Sequence, residues 1–311
     1  MKVCFIGLGS IGTRHCLNLR AICEEDRIPL EIHALRSSRR AVKDALKDIP
    51  IRYLYSEEET DAAYDAVFIT NPTALHYETL KRFRDKSQCF FIEKPVFETG
   101  EENIAGLQLQ TDTMIYVAAP LRYTQVIREA RAFAQSHRIY SARAISSSYL
   151  PEWRPGQDYR QTYSAQRALG GGVAIDLIHE WDYLSLLFGI PKKVYSLMGR
   201  YSGLEIDSDD LAVYIAEYDG MLCEVHLDYF GRPTQRKLEL YTADGCWTFD
   251  IAHGRVTAPD GTRETYDEAP NEKYLQEMRY FVQLVRNGET TSENSLEHAC
   301  EVLRITKGEA R

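Results

Sequence analysis

The first 120 residues alternate between two hydrophobic periods. KVCFI (2–6), LEIHALR (30–36), IRYLY (51–55), DAVFIT (65–70) and CFFIEKP (89–95) are short apolar runs rich in β-branched and aromatic residues, the signature of buried strands. TRHCLNLRAICEE, after the first run, has helical spacing, with Ile11, Leu19 and Ile22 on one stripe. EEDRIP (24–29) reads as an extra loop between that helix and the second strand. Strands alternating with helices predict a parallel, doubly wound α/β sheet, whose ligands collect beyond the carboxyl ends of the strands. The pattern then changes. LAVYIAEY (211–218), MLCEVHLDYF (221–230), RKLELYT (236–242) and GCWTFDI (245–251) are strand-like runs separated by short turns at Asp219-Gly220 and Ala243-Asp244. Tight turns between consecutive strands imply antiparallel pairing. Two helices, YLQEMRYFVQLVRNG and SLEHACEVLRITKG, close the chain. The expected division lies near Pro120, giving domains of 1–120 and 121–311, and no repeat or low-complexity tract interrupts either.

The first strand runs directly into GLGSIG, so Gly7, Gly9 and Gly12 form G-x-G-x-x-G between a strand and a helix. Gly7 allows the tight turn, Gly9 lets a pyrophosphate approach the backbone, and Gly12 lets helix and strand pack closely. Ser10 and Ile11 open the helix, whose free N–H groups and positive dipole end suit an anion. The end of the second strand chooses the dinucleotide. It runs Arg36-Ser37-Ser38-Arg39-Arg40, with no carboxylate for ribose hydroxyls. Arg36, Ser37 and Arg39 suit a 2′-phosphate, so NADP is expected, with NAD as the alternative. The plainer reading makes these arginines the solvated start of the next helix. NPTALH (71–76) and EKP (93–95) fall at later strand ends and place Asn71, Pro72, His76, Glu93 and Lys94 beside the same ligand.

GGGVAIDLIHEWDYL (170–184) sets Asp176, His179, Glu180 and Asp182 in an apolar stretch. Taken as one helix over 173–188, it has an apolar stripe of Val173, Leu177, Trp181, Leu184 and Phe188. Asp176, His179 and Tyr183 cluster on another face. A histidine has the right ordinary pKa to exchange a proton with an alcohol as hydride moves, and Lys94 can stabilise the developing alkoxide. Asp176 either orients His179 or binds a sugar hydroxyl. The structural alternative is a core histidine satisfied by its neighbouring carboxylate, with Lys94 in a salt bridge to Glu93. The preceding segment, 147–172, offers Trp153, Arg154, Tyr159, Arg160 and Tyr163 for stacking on a sugar and clamping an acidic or nucleotide-linked group, or for pinning a surface loop.

Composition narrows the class. A net charge of −9 argues against a nucleic-acid surface, and no run reaches the length of a membrane span. The seven cysteines form no C-x-x-C pair, and the amino terminus has no signal-peptide pattern. A cytoplasmic protein with reduced thiols and no metal site is expected.

GLGSIG, NPTALH, EKP, LRY (121–123) and GGG-x-x-x-D…H-x-x-D occur in the order found in the glucose–fructose oxidoreductase/inositol dehydrogenase (Gfo/Idh/MocA) family, which this chain resembles over most of its length. The resemblance implies a two-domain NAD(P)-dependent oxidoreductase: a Rossmann domain, then an α+β domain with a largely antiparallel open sheet that binds a sugar or polyol and mediates oligomerisation. It implies catalytic roles for Lys94, Asp176 and His179, a cofactor contact for Arg122, a substrate contact for Tyr123 and a cis Lys94–Pro95 peptide. A homodimer or homotetramer is expected, because helices on one side of such a sheet leave its other face uncovered. The sequence departs from the family in the gap from Asp to His, which is three residues here instead of four. Glu180 holds the usual position, and alignment on H-x-x-D selects His179 and Asp182. If the helix is regular at its start, Glu180 or Tyr183 becomes the substitute. The alternatives to a sugar dehydrogenase are a glycosidase that uses nicotinamide transiently and a cofactor-bound sensor.

Overall fold

The computed structural model describes residues 1–308. In chain order its elements are β1 (Lys2–Ile6), α1 (Ser10–Glu25), β2 (Glu31–Leu35), β3 (Ile51–Leu54), β4 (Ala66–Ile69), α2 (His76–Phe83), β5 (Cys89–Ile92) and β6 (Met114–Val117). There follow α3 (Gln125–Ser136), β7 (Ser141–Tyr149), α4 (Val173–Asp176), α5 (His179–Phe188), β8 (Lys193–Gly199), β9 (Leu211–Tyr218) and β10 (Met221–Asp228). The last are β11 (Phe230–Thr242), β12 (Gly245–Asp250), β13 (Arg255–Thr257), β14 (Arg263–Thr265), α6 (Glu272–Asn287) and α7 (Leu296–Thr306). They form two units, one of Met1–Pro120 with Asn271–Cys300, the other of Leu121–Pro270 with residues 301–308.

The first unit is built on a parallel sheet in the order β3-β2-β1-β4-β5-β6, the doubly wound arrangement the alternating periods predict. Register explains its aromatic runs. Phe5, Phe68, Phe91 and Tyr116 lie opposite one another on β1, β4, β5 and β6. Their rings follow each other at 4.4, 5.3 and 5.4 Å across the four strands. Phe281 of α6 caps this row, with its ring 5.3 Å from Phe68 and 5.2 Å from Phe91. Helix α6 also packs on α1, where Arg279 pairs with Glu25 and Asn271 donates to Asn18 at 2.8 Å. Burial pushes the thiols of Cys4 and Cys16 up to about 12, which keeps them protonated and inert.

The second unit holds an eight-stranded sheet ordered β14-β13-β12-β11-β7-β10-β9-β8. Every pairing is antiparallel except β7 with β10. Ala212, Tyr214 and Ala216 of β9 and Cys223, Val225 and Leu227 of β10 are buried on one face, where Trp181 of α5 meets Tyr214 edge-on at 5.2 Å. The other face leaves Tyr195, Leu197, Ile215, Leu222 and Tyr241 exposed.

The stretch 173–188 is not one helix, and the single-helix reading is corrected here. Leu177 leaves helical geometry at φ −100°, ψ 27°, which separates α4 from α5. Around the break, Ile178 N–H bonds Ile175 O at 3.4 Å and Glu180 N–H bonds Leu177 O at 3.2 Å. These i→i−3 bonds tighten the turn and rotate the residues after it relative to those before it.

Candidate active site

In the first unit, the glycine loop is shaped for a ligand. Gly7 lies at φ +94°, and a Cβ there would stand 3.0 Å from Asn71 Cα. A Cβ on Gly12 would strike Gly7 O at 2.5 Å and Thr70 Oγ1 at 2.6 Å, so α1 reaches this close to the sheet only with glycine. Gly9 differs: a Cβ would meet nothing within 4 Å, so no protein atom demands glycine there and the space lies open. The amino end of α1 has no side-chain cap and no acid in its first turn. The first backbone donor inside the helix is Thr13, which bonds Gly9 O at 3.0 Å. The N–H groups of Ser10, Ile11 and Gly12 are therefore left for an anion at the positive end of the helix. Beside the loop, Asn71 donates to Thr79 at 2.8 Å, while its Oδ1 is buried without a partner. This cradle and its orphaned acceptor fit a dinucleotide.

Past β2, residues 36–43 form no helix, so the arginines do not open one. Arg36 bonds Arg40 O at 2.7 Å and lies over the Tyr53 ring at 5.3 Å. Arg39 lies over Tyr55 at 4.2 Å, and Ser37 is exposed between them. Lys43, which the sequence reading passed over by stopping at Arg40, donates to Ser10 Oγ at 3.1 Å and brings a cation to the start of α1.

At the end of β5, Glu93 is buried against His15, and its Oε2 accepts the Lys94 N–H at 3.0 Å. Burial alone would push the Glu93 carboxyl up. The hydrogen bond and charge of His15, with Lys94 nearby, outweigh it and hold Glu93 below the usual carboxylate range. Glu93 thus serves from beneath the strand end. Lys94 is partly buried, and the Lys94–Pro95 peptide is cis. His76, expected to touch the cofactor, is 1% exposed and needs correction. Its ring nitrogens lie 3.1 Å from Val96 O and 2.9 Å from Asn71 O, and a neutral ring, with one N–H, donates to only one of these two carbonyls. Burial holds its pKa below the ordinary histidine value. Pro72 is the residue before the short turn Thr73–Leu75 in that same loop.

In the second unit, the four ionisable groups of 170–184 have separate assignments. Asp176 is 6% exposed and receives the hydroxyls of Tyr163 and, at 2.6 Å, Tyr229. Burial, then the Asp176 charge, pushes both phenols up, so they stay protonated and donate. Glu180 is fully buried and pairs with Arg236 at 2.8 Å. Asp182 takes Arg122 in a two-pronged pair at 2.9 and 2.8 Å, both side chains largely buried. This fixes α5 to the turn Pro120–Tyr123. His179, at the first position of α5, is only half-buried. Tyr183, read as a substrate contact, is corrected: it is 0% exposed, with its hydroxyl unpartnered in the core. The break after Asp176 accounts for the change, because it removes Tyr183 from the face predicted by a continuous helix.

The aromatic and basic segment divides likewise. A small surface recess is lined in part by Trp153, Arg154, Gln157 and Tyr159. Trp153 donates to Ser148 at 2.9 Å and meets Tyr229 edge-on at 5.2 Å. Arg160 instead pairs with Asp158 and Glu205, both at 2.8 Å, on the surface. Arg154 lies over the Tyr163 ring at 5.7 Å. Tyr123 is largely buried. Sequence reasoning missed His15, Lys43, Tyr229 and Arg236. Only Lys43 had a local signal, as the end of the basic run from Arg36. Elsewhere, Glu31, His33 and Asp61 approach one another, but Lys2 bonds Asp61 and Arg52 reaches it at 3.0 Å, so the chain supplies its own cations there.

Residues 1–113 match a family model described as an oxidoreductase family with an NAD-binding Rossmann fold. Residues 127–248 match the GFO/IDH/MocA C-terminal domain. Among curated relatives, scyllo-inositol 2-dehydrogenase (NAD(+)) of Bacillus subtilis strain 168 is 22% identical, over 93% of this chain and 87% of the relative. D-xylose 1-dehydrogenase (NADP(+)) 2 of Haloferax volcanii is 24% identical, over 84% of this chain and 83% of the relative. Levoglucosan dehydrogenase, solved with NADH and levoglucosan, aligns at a TM-score of 0.84 and 18% identity, covering 99% of this chain and 95% of that one. Among the described residues no helix is long and apolar enough to cross a membrane.

Proposed function

The chain belongs to the GFO/IDH/MocA family of NAD(P)-dependent oxidoreductases, and from that membership we propose that it transfers hydride between NADP(H) and a hydroxyl or carbonyl of a sugar or sugar derivative. The observation that carries the reading is the open amino end of α1 behind Gly7 and Gly12, with the orphaned Asn71 Oδ1 beside it. Relatives named for inositol and xylose dehydrogenation support the substrate class.

The residues divide the work as follows. The N–H groups of Ser10, Ile11 and Gly12 hold the pyrophosphate, and Asn71 Oδ1 accepts a hydrogen bond from the dinucleotide. Bound nicotinamide supplies the two-electron hydride acceptor or donor. Lys94 Nζ donates to the reacting oxygen and stabilises it as alkoxide character develops. His179 takes the hydroxyl proton in oxidation and returns it in reduction. Asp176, oriented by the phenols of Tyr163 and Tyr229, accepts from a substrate hydroxyl. Arg154 has no carboxylate partner among the described residues, so it is the cation available to an acidic or phosphate-bearing substituent. The test is a screen of neutral, acidic and nucleotide-linked sugars, in both directions, read by NADPH fluorescence. Net formation or consumption of NADPH supports the proposal. Glycoside cleavage without net redox, or no turnover across the panel, counts against it.

NADPH should bind more tightly than NADH. Arg36, Arg39 and Lys43 bring three cations to the end of β2, and no carboxylate stands among residues 36–43. A charge-assisted bond to a 2′-phosphate contributes about 1.5–3 kcal/mol, so losing one such bond corresponds to roughly 10- to 100-fold in affinity. Arg39→Ala should weaken NADPH by that order and leave NADH nearly unchanged in a fluorescence titration. A wild-type preference for NADH would reject the assignment.

The exposed face of the second sheet carries Tyr195, Leu197, Ile215 and Leu222, and we assign it to contacts between copies of the chain. Light scattering at micromolar concentration should give a dimer or tetramer, and Leu197→Glu should shift the population towards monomer. A monomeric wild type contradicts the assignment.

A further inference from the structure

We propose that His15 is a positioning residue for Lys94, acting through Glu93; the idea rests on the reading that Lys94 serves the reacting oxygen. His15 belongs to α1, the helix whose amino end forms the nucleotide cradle, yet its ring is fully enclosed in the core. It is 0% exposed and packs 4.7 Å from the Phe91 ring of β5 and 6.4 Å from Tyr274. Its Nε2 donates to Glu93 Oε1 at 2.5 Å, and its Nδ1 is buried without a partner. Glu93 is therefore the polar anchor of the ring. The second oxygen of Glu93 accepts the backbone N–H of Lys94 at 3.0 Å.

One carboxylate thus joins the nucleotide-binding helix to the first peptide of the Lys94 loop. A buried polar pair gains little over an apolar pair of the same shape, so packing alone gives no reason to place this one here. What the pair adds is direction. A carboxylate that bonds on both sides sets the orientation of the peptide that carries Lys94, and small displacements of a reacting group cost large factors in rate. The helix that receives the nucleotide and the loop that presents the lysine consequently move as one piece.

The test uses the full-length chain with His15→Leu, which removes the donor, and His15→Gln, whose amide can still reach Glu93. Without nucleotide, the rate of Lys94 acetylation by acetic anhydride is followed by mass spectrometry, with exposed Lys81 as the internal reference. His15→Leu should change the Lys94 rate by about threefold or more and lower kcat by about tenfold, with NADPH affinity nearly constant, whereas His15→Gln should restore most of both. If His15→Leu does not fold, His15→Asn, whose amide falls short of Glu93, is read in the same way. A Lys94 acetylation rate unchanged by loss of the donor overturns the proposal, whether or not the wild type turns over a sugar. Absence of wild-type hydride transfer, with the acetylation change present, counts instead against the oxidoreductase reading of the substrate panel.

Discussion

Lys94→Ala should lower turnover by about 100- to 10,000-fold, the range for removing a positioned acid, base or charge stabiliser. The nucleotide cradle is made by Gly7, Gly9, Gly12 and the first N–H groups of α1, none of which the substitution touches. NADPH affinity should therefore stay within about threefold of wild type, a loss of under 1 kcal/mol. Steady-state kinetics give kcat, and quenching of intrinsic fluorescence gives Kd. If affinity falls in parallel with kcat, Lys94 holds the cofactor rather than the reacting oxygen. Glu93 makes the distinction sharp, because its bond to the Lys94 N–H is to backbone and survives truncation of the side chain.

His179→Ala should cost a similar factor in kcat, measured at saturating sugar and NADPH. Glu180→Gln is the informative partner. Glu180 is fully buried with Arg236 2.8 Å away, so converting it to an amide weakens a structural pair and destabilises the fold by about 1–3 kcal/mol, without removing a proton carrier from the site. The expected result is a lower thermal midpoint with kcat close to wild type. Loss of turnover in Glu180→Gln, with His179→Ala nearly unaffected, would move the acid/base role to Glu180 and make the alignment on H-x-x-D wrong by one residue.

The Rossmann half of the fold was legible because its signals are local. GLGSIG, the carboxylate-free end of β2 and EKP each lie in a few consecutive residues at the end of a strand. The apolar runs gave the parallel sheet for a similar reason, since strands buried on both faces are nearly continuous in hydrophobic character. What the sequence hid was long-range pairing. His15 and Glu93 are separated by 78 positions and Arg122 and Asp182 by 60, and no periodicity connects them. Glu180 likewise finds Arg236 on β11. The continuous helix over 173–188 failed for a different reason. Its apolar positions keep helical spacing throughout, but the backbone at Leu177 departs from it, and no glycine or proline at that point announces the break. The arginine count of 147–172 also overstated the positive charge on offer, because Arg160 is neutralised by Asp158 and Glu205.

The row of rings across the parallel sheet has a consequence for how the protein is made. Phe5, Phe68, Phe91 and Tyr116 all leave the ribosome within the first 120 residues, but the ring that covers them, Phe281, is translated only after the whole second sheet. During that interval, at roughly 5–20 residues per second, the nascent amino-terminal half carries an uncovered aromatic face for about 10–30 s. It finishes its core only when almost all of the chain has been synthesised. A fragment ending at residue 120 would keep the glycine loop but lack α6, so the nucleotide-binding half is contiguous in its motifs and discontinuous in its core. Its birth order therefore leaves the dinucleotide cradle without a closed interior behind it until α6 has been made.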